Sequence, residues 1–119
     1  MITNMNPERA ADHIVLLIDN TQNYYNQKRT IFASLEKKVR KGTYDRTKAP
    51  KAFSYLTDVV RKNWNKEYSA DQEEVMTPAG SRAADRDLVH DFETEYLEYE
   101  KGINIKGGAI KNTVATGRF

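Results

Sequence analysis

The sequence predicts an all-α fold: a three-helix bundle with a long first helix and an extended C-terminal tail. Apolar residues recur at steps of three and four over long stretches, which is the period of an amphipathic helix. Asn6-Pro7 and Thr77-Pro78 each place a capping side chain before a proline, an order typical of helix starts. The 119 residues suffice for one domain, and the supply of one Trp, seven Tyr and four Phe argues against a disordered chain.

The first helix is predicted from Pro7 to Lys41. Glu8 favours the positive end of the helix dipole, the cations of the last turn favour the negative end, and Gly42 provides the stop. Asp19-Asn20-Thr21 competes for backbone hydrogen bonds, so the helix could break or kink there. The predicted buried stripe consists of Ile14, Ile18, Thr21, Tyr25, Lys28, Phe32, Leu35 and Val39, widened by Leu17, Tyr24 and Ile31.

Two further helices follow. The second is predicted to begin at Asp45 or Thr47 and to end near Glu67, and residues 68–76 are predicted to form a polar connection. The third is predicted from Thr77-Pro78 to Gly102. Their apolar stripes are Ala49, Phe53, Leu56, Val60 and Trp64 in the second, and Ala84, Leu88, Phe92, Tyr96 and Tyr99 in the third. These boundaries divide the chain into a helical domain, residues 1–102, and an extended or flexible tail, residues 103–119.

Four short segments along the chain form a distinctive series. They are an apolar run ending in Ile18-Asp19-Asn20 with Tyr24-Tyr25 following, Lys41-Gly42-Thr43-Tyr44-Asp45, Lys48-Ala49-Pro50-Lys51 leading into Tyr55-Leu56, and Phe92-Glu93-Thr94-Glu95-Tyr96 in an acidic last helix. Through these segments, over about residues 14–99, the chain resembles short helical phage-encoded proteins of unknown function. The resemblance implies a phage or other mobile element as the source. It also implies one of three roles: a virion component, DNA handling, or interference with a host system.

Charge is divided along the chain into a basic half and an acidic half. Residues 28–66 hold twelve basic and three acidic residues, a local net charge of +9. Residues 67–101 hold eleven acidic and three basic residues, a local net charge of −8. The formal net charge of +2 therefore conceals two strongly charged halves. Such a division predicts either an electrostatic partner or mutual neutralisation of the halves within the fold.

The basic half contains the candidate nucleic-acid-binding residues. A hairpin of two antiparallel helices would cluster the lysines around the turn between them. Phosphate backbones bind such clusters through counterion release, without any reading of bases. The alternative is a solvated face that also pairs with the acidic third helix. The candidates are Lys37, Lys38, Arg40, Lys41, Lys48, Lys51, Arg61 and Lys62.

The acidic third helix and the tail contain the candidate partner-binding residues. On the helix these are Asp87, Asp91, Glu95 and Glu98, which follow at steps of four, four and three and therefore share one face. A solvated face is the alternative explanation for them. In the tail, large apolar side chains separated by small and polar residues suit an extended segment docked on a partner or on a second copy. These are Ile103, Ile105, Ile110, Val114 and Phe119.

Signatures of enzymes and cofactors are missing from the sequence. There is no cysteine and no Gly-rich phosphate loop, and His13 and His90 do not have the spacing of metal ligands. No cofactor, metal site or catalytic residue is predicted, and no apolar run is long enough for a membrane span. The sequence thus predicts a non-enzymatic accessory protein of the host cytoplasm that binds a host or phage protein, or a second copy of itself. Nucleic-acid binding through residues 37–66 and a structural subunit of the virion are the alternatives.

Overall fold

Four α-helices and two short strands make up residues 1–97, the part of the chain that this computed structural model describes. In chain order they are β1 (Thr3–Asn4), α1 (Pro7–Asn20), α2 (Gln22–Lys41), α3 (Ser54–Gln72), β2 (Glu74–Val75) and α4 (Pro78–Phe92). A 3₁₀ turn, Ala49–Phe53, precedes α3, and a π-helical turn, Glu93–Leu97, follows α4. The predicted all-α class is confirmed. The predicted helix end at Gly102 and the predicted tail, residues 103–119, lie outside the described residues.

The predicted first helix is divided in two by an extended residue, Thr21, with φ −114° and ψ 114°. The division falls beside Asp19-Asn20, where the sequence predicts a break or kink. The Asp19 carboxylate accepts a hydrogen bond from Nζ of Lys28 at 2.6 Å, which ties α2 back to the end of α1. The described residues consequently contain four helices where three were predicted.

The helix predicted from Asp45 or Thr47 begins and ends later than expected. Asp45 does act as a cap, because its Oδ1 accepts a hydrogen bond from the N–H of Thr47 at 2.9 Å, but it caps a turn. At the other end α3 continues to Gln72, where Glu73 in the left-handed conformation (φ 55°) ends it. Residues 68–76, predicted as a polar connection, therefore contain the end of α3 and the strand β2. Their polar side chains have no apolar period by which a helix could be recognised.

α1 and α4 lie side by side in the same direction, and each follows a strand. β1 and β2 pair in parallel. A buried methionine, a cap position and a proline come after each strand, as Met5-Asn6-Pro7 and as Met76-Thr77-Pro78. Asn65 of α3 holds the second start in place, since its side-chain amide bonds both the N–H and the C=O of Met76 at 2.8 and 2.9 Å. Two similar strand–helix starts are thus joined at one end of the fold.

The contact between α1 and α4 is close because small residues line it. A Cβ atom placed on Gly80 would lie 2.6 Å from the Cβ of Ala10, nearer than two carbon atoms can approach without a shift. Glycine is therefore required at this point of α4. The other small buried residues of the two helices are Ala10, Ala11, Ser81, Ala83 and Ala84.

Aromatic rings from several elements form the core beside the end of α4. The ring centroid of Phe92 lies 5.4 Å from Phe32, 5.6 Å from Tyr44 and 5.6 Å from Tyr96. Phe53 completes the cluster through an edge contact with Phe32 at 5.8 Å. The four residues other than Tyr44 lie on the predicted stripes. Tyr44, which belongs to the turn after α2, is 1% exposed and was not predicted to be in the core.

Candidate functional site

The end of α2 fixes the position of the turn that follows. Gly42 adopts the left-handed conformation (φ 74°), and its N–H bonds the carbonyl of Val39 at 3.0 Å. The N–H of Thr43 bonds the carbonyl of Lys38 at 2.8 Å. This pair of hydrogen bonds ends the helix sharply and satisfies carbonyls that would otherwise lack donors. Lys38 therefore lies at a rigid helix end beside the turn.

Two side chains of the turn bind one buried carboxylate, that of Glu93. The Tyr44 hydroxyl donates a hydrogen bond to Oε2 of Glu93 at 2.8 Å. Arg46 donates to both carboxylate oxygens from Nε at 3.0 Å and makes a further contact through Nη2. Burial and then the charge of Glu93 raise the pKa of Tyr44, so its hydroxyl keeps the proton that it donates. The turn is consequently anchored to the end of α4.

The anchored turn borders a groove of about 540 Å³. Lys38 of α2, Lys48 of the turn and Lys51 of the 3₁₀ turn line it, and we call it the lysine groove. Among residues 1–97 none of these three lysines has a carboxylate within ion-pair distance. The same holds for Lys37 and Lys41, which are exposed near the end of α2. Around this turn five lysines of the predicted basic set therefore have no ion pair in the described part of the fold, although Asp45 also lines the groove.

The remaining three members of the predicted basic set, like Lys37 and Lys41, do not line the groove. Arg40 pairs with Glu36 on the same helix at 3.0 Å. Arg61 is mostly buried and donates a hydrogen bond to Oγ of Ser81 at 2.8 Å, so it joins α3 to α4. Lys62 is exposed on α3, away from the residues that form the groove. The two arginines therefore serve the fold itself.

Ion pairs between the basic and acidic halves also use arginine. Arg29 of α2 binds Glu95 at 3.0 Å, and Arg46 binds Glu93. The guanidinium group can bind both oxygens of a carboxylate at once, which suits such pairs. Mutual neutralisation of the two halves, one of the two alternatives for the charge division, thus applies to these arginines.

The acidic candidates are separated by the structure. Asp87 and Asp91 line a hollow of about 320 Å³ together with Asp12 of α1. Partial burial raises the pKa of both α4 aspartates, and the charge of Asp12 raises that of Asp87 further. Glu95 does not line this hollow, because it is engaged with α2. The candidates outside the described residues are Glu98, Ile103, Ile105, Ile110, Val114 and Phe119.

A buried polar network between α3 and α4 has no counterpart in the sequence analysis. Oγ1 of Thr57 donates to Oδ1 of Asp85 at 2.6 Å, and Arg82 contacts Oδ2 of Asp85 at 3.3 Å and Asp58 at 2.7 Å. Burial raises the pKa of Asp85 to about 6, although the Thr57 bond and Arg82 act in the opposite direction. Thr57 and Asp58 lie 28 and 24 positions from their partners on α4, so no spacing indicates these contacts, whereas Arg82 and Asp85 are an i, i+3 pair. A further signal is that Asp85 directly follows the stripe residue Ala84.

An apolar hollow of about 300 Å³ lies between α1 and α3. Trp64, buried as predicted, lines it, and its ring lies 6.3 Å from that of His13 and 6.0 Å from that of Tyr68. Tyr68 and Leu16 remain 44% and 59% exposed at the same hollow. Trp64 is therefore a core residue whose neighbours reach the surface.

Comparison with protein-family models, with curated proteins and with solved structures finds no match to this chain. Within residues 1–97 no group of three or more His, Asp and Glu side chains is placed to hold a metal ion. Over the same described range no helix has both the length and the apolar character needed to cross a membrane.

Proposed function

We propose that the protein binds nucleic acid through the phosphate backbone, with the lysine groove as the site. The observation that carries this proposal is the different use of the two basic residue types. Six of the seven arginines among residues 1–97 pair with carboxylates, whereas seven of the eight lysines there, all but Lys28, have no ion pair. Five of these seven lysines lie around the turn after α2. Clustered like charges repel one another and oppose the compact state. Such a cluster on an anchored turn therefore favours an external anion.

The chemistry of the groove suits a chain of phosphates. The lysine ammonium is a point charge with three donors on a flexible stem, so it binds phosphate oxygens without a fixed angle. Lys38, Lys48 and Lys51 come from three different elements and can contact separate phosphates, each contact releasing counterions. Contacts of this kind position a nucleic acid but do not read its sequence. DNA handling is also among the roles that the resemblance to phage-encoded proteins implies.

Replacement of Lys38 and Lys48 by glutamine tests this proposal. Binding of fluorescently labelled DNA and RNA is measured by anisotropy over a range of salt concentrations. We expect the affinity of the unaltered protein to fall steeply with salt, because each phosphate contact releases counterions. In K38Q/K48Q the affinity should fall at least about tenfold, and the slope of log affinity against log salt should become shallower by about 1.5 to 2.

The matched control is Lys62→Gln with Lys66→Gln, which removes the same charge from exposed positions of α3 outside the groove. This variant should keep its affinity within about twofold. Circular dichroism verifies that all the variants retain their helices. Absence of binding by the unaltered protein at low salt would contradict the proposal, and so would an equal loss in both double variants.

The second candidate function is binding of a protein partner at the hollow lined by Asp12, Asp87 and Asp91, which we call the acidic hollow. Asp12, Asp87 and Asp91 line this hollow without an ion pair in the described range, and Leu16 beside them is 59% exposed. An acidic rim with an apolar neighbour suits a basic protein surface. Binding of a host or phage protein, self-association and a structural role in a virion all belong to this candidate.

A pull-down with nuclease-treated and untreated arms distinguishes the two candidates. A protein captured in both arms, and lost when Asp87 and Asp91 are replaced by asparagine, would support the acidic hollow. Proteins captured only in the untreated arm would be held through nucleic acid and would support the lysine groove. Capture that survives both treatments would leave the acidic hollow without a role in binding.

A further inference from the structure

A second hollow adjoins the lysine groove between α2 and α3. It has a volume of about 420 Å³, and Ala52 lines both it and the lysine groove. α2 and α3 are antiparallel here, since Tyr24 near the start of α2 bonds Asn63 in the second half of α3 at 2.7 Å. The two sites thus form one continuous surface at the contact between these helices.

Tyr55 is the aromatic side chain of this second hollow, which we call the Tyr55 hollow. It is 76% exposed, the largest exposed fraction of any aromatic residue in the described part of the chain. Within residues 1–97 its hydroxyl has no hydrogen-bond partner and its ring no aromatic or cationic neighbour. It follows Lys51 of the 3₁₀ turn by four residues, and Ala52 between them lines both the groove and the hollow. A flat ring is therefore presented to solvent in the hollow that adjoins the lysine groove.

The hollow is lined by both apolar and polar side chains. Ile31 and Leu56 provide apolar surface, and Leu56 is 1% exposed. Gln27 contributes a side-chain amide, which carries both donors and an acceptor. An apolar floor with one ring and the amides of Asn26 and Gln27 can receive a planar group that has polar edges. A nucleobase has this chemistry, with its faces suited to stacking and its edges to hydrogen bonds.

We propose that the lysine groove and the Tyr55 hollow together bind single-stranded nucleic acid, with the phosphate chain on the lysines and a base stacked on Tyr55. This inference rests on the proposed function and adds the class of substrate. In a duplex the base faces are stacked on one another and cannot meet a protein ring. A site with both a cationic groove and an exposed aromatic ring therefore favours an unpaired strand over a duplex.

The test compares a labelled single strand of DNA, the same sequence in RNA, and the corresponding DNA duplex. The unaltered protein should bind at least one single strand more tightly than the duplex. Tyr55→Ala should weaken that single-strand binding about tenfold or more, which is the range measured for loss of one stacked base. Tyr55→Phe, which keeps the ring, should restore most of the affinity. Binding of the duplex should be the same in all three proteins.

Tyr68→Ala is the matched control, because Tyr68 is a half-exposed tyrosine of the same helix outside this surface. It should leave single-strand affinity unchanged. Tighter binding of single-stranded DNA or of single-stranded RNA than of the duplex supports the inference. The strand that binds more tightly is then the preferred type of nucleic acid. If no nucleic acid binds, the proposed function itself fails. The inference fails if K38Q/K48Q loses binding while Y55A keeps it. It also fails if an acidic peptide displaces the strand at equal concentration. In both cases the lysine groove remains an anion site.

Discussion

Asp85 is a residue whose ionisation should affect stability. It is 2% exposed between α3 and α4, and burial raises its pKa from the usual 3.8 to about 6. Between these two pH values the folded protein keeps a proton that the unfolded chain has lost. The stabilisation from the neutral acid is thus complete below pH 3.8 and is lost as the pH rises through about 6. Asp85→Asn removes the titration and keeps an acceptor for Thr57.

We therefore expect the free energy of unfolding of Asp85→Asn, relative to that of the unaltered protein, to increase as the pH rises from about 4 to about 7. Urea unfolding at several pH values measures the difference. Asp71→Asn, at an exposed position of α3, controls for loss of one carboxylate. A difference that stays constant with pH, or that decreases, would show that Asp85 is not held neutral by burial.

At the scale of elements, the seam between α1 and α4 depends on Gly80. In an open helix position alanine is more stable than glycine by up to about 1 kcal/mol. At Gly80 the added methyl group would meet Ala10 at 2.6 Å, so the helices would have to separate. Gly80→Ala should accordingly lower the free energy of unfolding by about 1–3 kcal/mol, the usual range for overpacking.

The double variant Gly80→Ala with Ala10→Gly provides the control, because it exchanges the methyl group between the facing helices. It should be more stable than Gly80→Ala alone, even though it places glycine within α1. Thermal unfolding followed by circular dichroism measures both variants. A Gly80→Ala protein at least as stable as the unaltered one would mean that the two helices are not in close contact there.

The elements differ in how far the sequence could predict them. The cap-plus-proline starts at residues 6–7 and 77–78 and the stop at Gly42 are local signals, and α1, α4 and the end of α2 follow them. Thr21 shows the limit of such signals, since competition for backbone bonds indicates where a helix could break but not whether packing will break it. β1 and β2 have two residues each and only pair through the tertiary structure, so no periodicity reveals them.

The candidate site was predicted in part for a similar reason. Clustering of lysines around the turn after α2 follows from sequence order, and Lys38, Lys48 and Lys51 do line one groove. The separation of lysine from arginine could not be predicted, because it depends on which carboxylates lie within reach in three dimensions. Arg46 meets Glu93 across 47 positions, and Arg29 meets Glu95 across 66. Tyr55 shows no signal in the sequence beyond its lying off the apolar stripe.

At the scale of the whole molecule, charge serves two opposing purposes. Arginine pairs such as Arg29 with Glu95 and Arg82 with Asp58 join elements that are distant in the sequence. The five lysines around the turn after α2 instead repel one another, and under the proposed function the fold that keeps them gives up stability in favour of binding an anion. Function and stability should therefore respond in opposite directions when these lysines are removed.

Lys38→Gln with Lys48→Gln should accordingly raise the melting temperature at low ionic strength while it weakens the binding of nucleic acid. Relief of exposed like-charge repulsion is a small effect, so the rise should be about 1–3 °C for a chain of this size. At about 1 M salt the screening length falls to about 3 Å, and the difference from the unaltered protein should disappear. Calorimetry at both salt concentrations, with Lys62→Gln and Lys66→Gln as the control of equal charge, measures the effect. A lower melting temperature of the groove variant at low salt would show that Lys38 and Lys48 stabilise the fold, and their cluster would then need no external anion to explain it.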